Sequence, residues 1–503
     1  LDPLDLWAAF ERAWASRSLA VAVPDPTIGD MQTHLDVGLD LAAAGLWDDA
    51  IAVVEAAVGS DRHAPVDPLA LYHLGWLHAQ AGDAYAAAQV RQRARHLPPG
   101  PSFAGRLEEI AILQSAIDAD PADPRARYHL GNLLYDRRRY DEAIACWERA
   151  AVLDPEFPTT WRNLGIGYLN VRGRGGLAER AYRRAFAADP TDGRVLYEWD
   201  QLEKRRGRSA RGRLARLEAH RDLVDERDDL AAELATLYND LGRHADALAF
   251  LASRRFHPWE GGEGLVSGQY VRAHLRLAQS AFHGRQPAEA REHIAAAMCY
   301  PENLGEGKHL LTPEHDLYFH LGLALEALGD VPGARRALER AADPRTSHDP
   351  TTVPVPELSE ASYWRARALE RLGDRDGSRR ILRDLRSAAR RQAHAEVRID
   401  YFATSLPTLL LFEDDLGRRN RAESRYLEGL AELGLGRLTP AWRAFEEVVA
   451  LDPWHSGARW GLQEIEDRAP AGRRAAGPAT RRLPSGRRDR PPLPAATPGA
   501  RRS

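Results

Sequence analysis

The chain has 503 residues, 44% hydrophobic and 28% charged, with a formal net charge of -4 at pH 7. That balance supports a continuous core and a solvated surface, gives no reason to expect nucleic acid along the folded part, and includes no apolar run long enough to cross a bilayer. The two cysteines, Cys146 and Cys299, lie 153 residues apart and make neither a disulfide framework nor a zinc spacing, so a reducing cytoplasm is the expected compartment and neither metal nor cofactor is expected.

Composition does not shift before about residue 468, which favours one elongated array over separate globules. The start, Leu1-Asp2-Pro3, is neither an initiator methionine nor the basic opening of a signal peptide. A longer protein is therefore expected, of which this chain is a part.

In chain order, helical units at 34–57 and 72–97 carry Gly38, Gly45, Ala50 and Val54, then Leu74-Gly75, Gly82 and Ala87, with a closing helix at 107–121. The clearest unit is 124–157: Tyr128, Leu130-Gly131, Leu134, Tyr140, Ala143, Trp147, Ala150 and Asp154-Pro155. Asp120-Pro121, Asp154-Pro155 and Asp189-Pro190 recur at spacings of 34 and 35. Each unit reads as two antiparallel amphipathic helices. Gly131 and Ala143 remove bulk where the helices cross, and Pro155 cannot continue the second helix. One pair cannot bury its apolar face alone, so pairs must stack. The pattern resembles the tetratricopeptide repeat, and a further full unit follows with Trp161, Leu164-Gly165, Tyr168, Ala178, Tyr182 and Ala185.

From 193 to 219 the helical period persists but Trp199-Asp200 stands where Leu-Gly belongs. The signature returns at 234–254, 277–297 and 318–341. A proline-rich connection at 343–357, a weaker pair at 362–385 with Gly373 at its turn, and a more apolar insertion near 388–415 come next. A last unit at 425–453 is followed by a capping helix at 454–467. Residues 469–503 hold nine arginines, seven prolines and one acid, a composition that cannot bury a core.

Two loops interrupt the repeats near 255–265 and 300–315. Aligned on Pro258 and Pro301, 43 residues apart, both read P-x-x-x-G-E-G. They concentrate His257, Trp259, Glu260, Glu263, Glu302, Asn303, Glu306, Lys308 and His309, and Lys308 is one of only two lysines in the chain. Loops one repeat apart lie on one edge of a stack, which would let Glu263 and Glu306 face a common groove. Glu302, Asn303 and Lys308 suit hydrogen bonding to sugar hydroxyls, with Trp259 as a stacking face. The same residues also have structural readings: glycines for positive φ, glutamates capping the following helices, Trp259 as a plug between repeats. The histidine spacings match no zinc pattern, and no phosphate loop, dinucleotide fingerprint or nucleophile elbow is present.

Together, 256–264, 300–309 and 399–406 resemble a bacterial family of tetratricopeptide-repeat proteins whose N-terminal half is a β-rich, mutarotase-like domain of unknown function. The resemblance covers most of residues 1–467 and implies that this chain is the C-terminal repeat half. It transfers no catalytic residue.

The expected fold is all-α: a right-handed α-solenoid of about ten to twelve helix pairs over 1–468, with a disordered tail at 469–503. The expected role is a non-catalytic scaffold that docks its own N-terminal domain or a protein or peptide partner. The alternative is the C-terminal part of a carbohydrate-active enzyme whose site the missing domain completes. Neither membrane nor nucleic acid is an expected partner.

Overall fold

The computed structural model describes residues 31–59, 66–98, 100, 103–259, 261–309, 312–344, 359–397, 411–412 and 415–468. Glu260, most of the proline-rich connection, residues 398–410 of the insertion, and the tail lie outside them. Among the described residues every regular element is a helix, and no helix is long and apolar enough to cross a membrane. The chain divides into two compact units, Leu1–Val355 with Glu396–Arg419, and Pro356–Ala395 with Asn420–Ser503.

The first unit opens with the pairs α1 (Met31–Ala43) and α2 (Trp47–Gly59), then α3 (Pro68–Gln80) and α4 (Ala84–His96), followed by the single helix α5 (Glu108–Ala119). The clearest repeat forms α6 (Pro124–Asp136) and α7 (Tyr140–Leu153), and the next forms α8 (Pro158–Asn170) and α9 (Gly175–Ala188). Asp-Pro sets the start of α6 from both sides. The Asp123 side chain accepts from the Arg125 and Ala126 amides, and Pro124 sits where a helix needs no N–H.

Within each pair, contact depends on a missing side chain. A Cβ on Gly131 would lie 2.5 Å from the Trp147 indole, and one on Gly165 would lie 2.5 Å from the Tyr182 ring. Gly322 repeats this against Leu338, and Gly429 against Phe445. The bulky partner fills the space the glycine leaves. Trp147 and Tyr182 are consequently buried, each worth about 1.5–3 kcal/mol relative to exposure. The second helix of one pair then packs on the first helix of the next, α7 on α8 and α9 on α10 (Gly193–Arg205), which makes the core continuous.

The pair that lost its signature replaces this contact with charge. It consists of α10, α11 (Ala210–Ala219) and a short extra helix, α12 (Arg221–Glu226). Asp200 occupies the small-residue position, and Arg213 of α11 reaches it with Nε at 3.1 Å and Nη2 at 2.5 Å. The same guanidinium meets Glu233 on α13 (Asp228–Asp240) at 2.5 Å, and Lys204 meets Glu233 at 2.8 Å. Arg213 and Asp200 have no exposed surface. A buried ion cluster therefore stands where a glycine would.

The unit continues through α14 (His244–Ala252), α15 (Leu265–His283), α16 (Pro287–Ala297), α17 (His315–Ala327) and α18 (Val331–Ala342), with a short 3-10 turn at Glu302–Leu304. The second unit holds α19 (Glu360–Leu372), α20 (Arg375–Gln392), α21 (Leu416–Gly434) from Asn420 onward, α22 (Leu438–Leu451) and α23 (Ser456–Arg468). Helix α20 runs into the stretch expected as an insertion from 388, because Ala389 is still buried on its apolar face. Phe445 lies between Gly429 and Gly461, so α23 closes the α21–α22 pair as a cap.

Candidate functional site

The two glycine-rich loops join α14 to α15 and α16 to α17, and they are bonded directly to each other. The Phe256 amide donates to the Asn303 carbonyl at 2.8 Å. Asn303 Nδ2 donates to the carbonyls of Leu251 (2.8 Å) and Arg254 (2.9 Å), the last turn of α14 and the residues after it. Phe256 and Leu304 are buried beneath this junction. Gly305, at φ +75°, lies so close to the first loop that a Cβ would be 2.4 Å from the Phe256 carbonyl oxygen.

Glu306 extends the junction. Its carboxylate accepts from the Gly264 amide at 2.9 Å and from the Ser267 hydroxyl at 2.6 Å. Gly264 is the residue before α15, so the acid sits at the positive end of that helix. The sequence suggested a glutamate capping the helix after its own loop. The structure instead shows Glu306 capping the helix after the other loop. Lys308 donates to the Met298 carbonyl at 3.1 Å and pairs with Glu314.

The remaining candidates are distributed around this junction. The His257 amide donates to Asp228 at 2.9 Å while its ring is 77% exposed. Trp259 is half-buried with its indole against Gly262, where a Cβ would lie 2.1 Å away. Glu263, Glu302 and His309 are exposed. Thus Asn303, Glu306 and Lys308 bond backbone or neighbouring side chains, and the exposed Glu263 and Glu302 form a rim with His257, whose ring also faces Asp228 at 3.3 Å. Among the described residues no group of three or more His, Cys, Asp or Glu side chains could hold a metal ion.

A second constellation was not found from the sequence. Asn170 and Arg205 are the last residues of α8 and α10. Asn170 Nδ2 donates to the Leu411 carbonyl at 3.1 Å, and Arg205 Nη2 reaches the Phe412 carbonyl at 3.4 Å. The Phe412 ring is 2% exposed, edge-on to Tyr182 at 6.1 Å between centroids, with the Arg205 guanidinium 5.6 Å from its centre. A signal did exist: Asn170 and Arg205 are 35 residues apart, the spacing of Asp154 and Asp189. They hold equivalent places in successive repeats.

Models of the tetratricopeptide repeat match residues 35–101 and 360–389, and a TPR repeat model matches residues 131–170. The chain carries tetratricopeptide repeats. The three stretches fall on α1 to α4, on α19 and α20, and from mid-α6 through α8, while both glycine-rich loops lie outside them. Among solved structures, YrrB, described as a TPR protein with an unusual peptide-binding site, is 16% identical, with 45% of this chain and 97% of that one covered at a TM-score of 0.29. A MamA chain from Desulfovibrio magneticus RS-1 is 17% identical over 40% of this chain and 98% of that one, TM-score 0.24. A tetratricopeptide repeat protein from Parabacteroides merdae is 16% identical over 59% and 98%, TM-score 0.25. The repeat assignment rests on the family models and the helix pairs, not on these distant likenesses.

Proposed function

We propose that this chain is a non-catalytic, cytoplasmic interaction scaffold whose repeats present the loop-bearing edge to a protein partner or to a β-rich, mutarotase-like domain of its own. One observation carries the reading. The loop residues best suited to chemistry, Asn303, Glu306 and Lys308, are bonded to backbone and helix ends, and the groups left at the surface, His257, Glu263 and Glu302, form a polar rim. Such a rim suits recognition by charge and hydrogen bonding, which sets specificity more than affinity. Helical repeat arrays generally bind through extended surfaces of this kind.

The test is binding by the full-length protein with Glu263 and Glu302 both changed to Arg. The scaffold reading expects association with the N-terminal domain or partner to weaken at least tenfold while the melting temperature stays within about 1 °C of wild type, as is usual for exposed sites. The carbohydrate reading would take its place if a glycoside bound the wild-type protein and the same variant abolished that binding.

A further inference from the structure

We infer that the ends of α8 and α10 form a peptide-recognition site, and that the chain's own Leu411–Phe412 dipeptide is its ligand. The site lies apart from the loop-bearing residues used above, so its failure would leave the scaffold reading standing.

The recognition uses both the main chain and the side chain of the dipeptide. Two successive main-chain carbonyls are each met by a side-chain donor, Asn170 for Leu411 and Arg205 for Phe412. Between those donors the aromatic side chain is almost fully withdrawn from water. Its floor is Tyr182, which is itself fixed by the repeat core: the ring packs on Gly165 and the hydroxyl donates to Glu198 at 3.1 Å. Arg205 serves twice, donating to the carbonyl and presenting its guanidinium to the ring.

The repeat explains why the site occurs here and not one pair away. Asn170 and Arg205 end the first helices of consecutive pairs, and the corresponding final residues are Asp136 in α6 and Asp240 in α13. A carboxylate can only accept, so it would repel a carbonyl oxygen instead of binding it. The donors on α8 and α10 are thus adjacent in the stack, with an acid at the equivalent position of the pair on either side. The dipeptide lies 241 residues beyond Asn170 in sequence, so local chain geometry does not impose the contact. The sequence after it, Glu413-Asp414-Asp415, defines the chemistry an outside competitor must match: an aliphatic and an aromatic residue followed by acids.

The experiment uses a fluorescein-labelled peptide with the sequence of residues 407–415, PTLLLFEDD, titrated into the full chain and read by anisotropy. Phe412→Ala should bind it at least tenfold more tightly than wild type, because the internal ligand has been weakened. Adding Asn170→Ala and Arg205→Ala to that variant should remove the gain. Equal affinity for wild type and Phe412→Ala would overturn the inference. So would a gain that survives loss of both donors, or absence of binding by a Phe412→Ala protein with wild-type circular dichroism. Should Phe412→Ala fail to fold, hydroxyl-radical footprinting reads Phe412 in the otherwise native chain. Its oxidation should rise severalfold in the Asn170→Ala, Arg205→Ala protein, and unchanged protection would contradict the assignment.

Discussion

Glu306 and Ser267 meet at 2.6 Å across two loops, with the same carboxylate also accepting the Gly264 amide. A helix N-terminus leaves its first amides without partners, and here a residue from 39 positions downstream of Ser267 supplies one. Ser267→Ala should cost about 1 kcal/mol and Glu306→Ala roughly 1–2 kcal/mol, the range for lost caps. The double variant should cost less than their sum, because both remove one contact. Urea denaturation of the four proteins measures the coupling, and strict additivity would contradict a shared contact.

Gly305 is a more severe constraint. Its φ of +75° is a left-handed conformation, and a Cβ would lie 2.4 Å from backbone that cannot swing away. Gly305→Ala should therefore cost at least about 2 kcal/mol, of which roughly 1–2 comes from the backbone conformation alone. Gly307→Ala provides the control, since nothing lies within 4 Å of its Cβ position. Thermal melts of the two variants should separate clearly.

Much of this fold could be read from the chain because tetratricopeptide packing is local. Gly131 and Trp147, or Gly165 and Tyr182, are about one helix apart, and their recurrence reports the contact they make. The ion cluster was less legible. Trp199-Asp200 marked a departure, but that Asp200 would be paired with Arg213 and share it with Glu233 depends on three helices coming together. The loops were visible as composition, and their residues were legible as candidates. Which groups would hold backbone and which would face outward depends on a register between segments 43 residues apart, which composition does not contain. The Phe412 contact spans still further: the repeat spacing marks Asn170 and Arg205, but nothing periodic marks the dipeptide they hold.

Arg213 supports both acids of its cluster. Arg213→Met would leave Asp200 and Glu233 buried without it, a situation that typically costs 3–5 kcal/mol. Acid should expose the same dependence. Burial alone would push the Glu233 carboxyl up, but Lys204 and Arg213 outweigh burial and hold it down to about 2, below its ordinary 4.5. A carboxylate depressed in the folded state contributes stability that is complete above the unfolded value and is lost as pH falls through the folded one. The share of stability contributed by Glu233 should thus be lost between pH 4.5 and 2, opposed by Asp200, whose carboxyl burial pushes up despite Arg213, and Glu233→Gln should be less stable at pH 7 with a flatter slope in that window.

His129 gives a second acid-side slope at milder pH. It is fully buried between the rings of Tyr72 and Tyr128, and burial, reinforced by Arg125, pushes its imidazole down to about 3 from 6.5. The folded protein therefore keeps it neutral while the unfolded chain protonates it, so its contribution is present above pH 6.5 and is lost as pH falls toward 3. His129→Leu should show a smaller fall in melting temperature between pH 7 and pH 4.5 than wild type. An identical fall would assign the acid sensitivity elsewhere.

The most direct test of the account is Glu306→Gln in the full-length protein, with thermal stability and glycoside binding measured on the same preparations. The amide keeps the size of the side chain but removes the charge at the start of α15. If the loops are a structural joint carrying a protein-docking rim, the melting temperature should fall by about 1–2 °C, as expected for roughly 1 kcal/mol in a unit of this size, and a glycoside panel should bind neither protein. An unchanged melting temperature together with loss of glycoside binding seen in wild type would contradict the account and make Glu306 part of a sugar site.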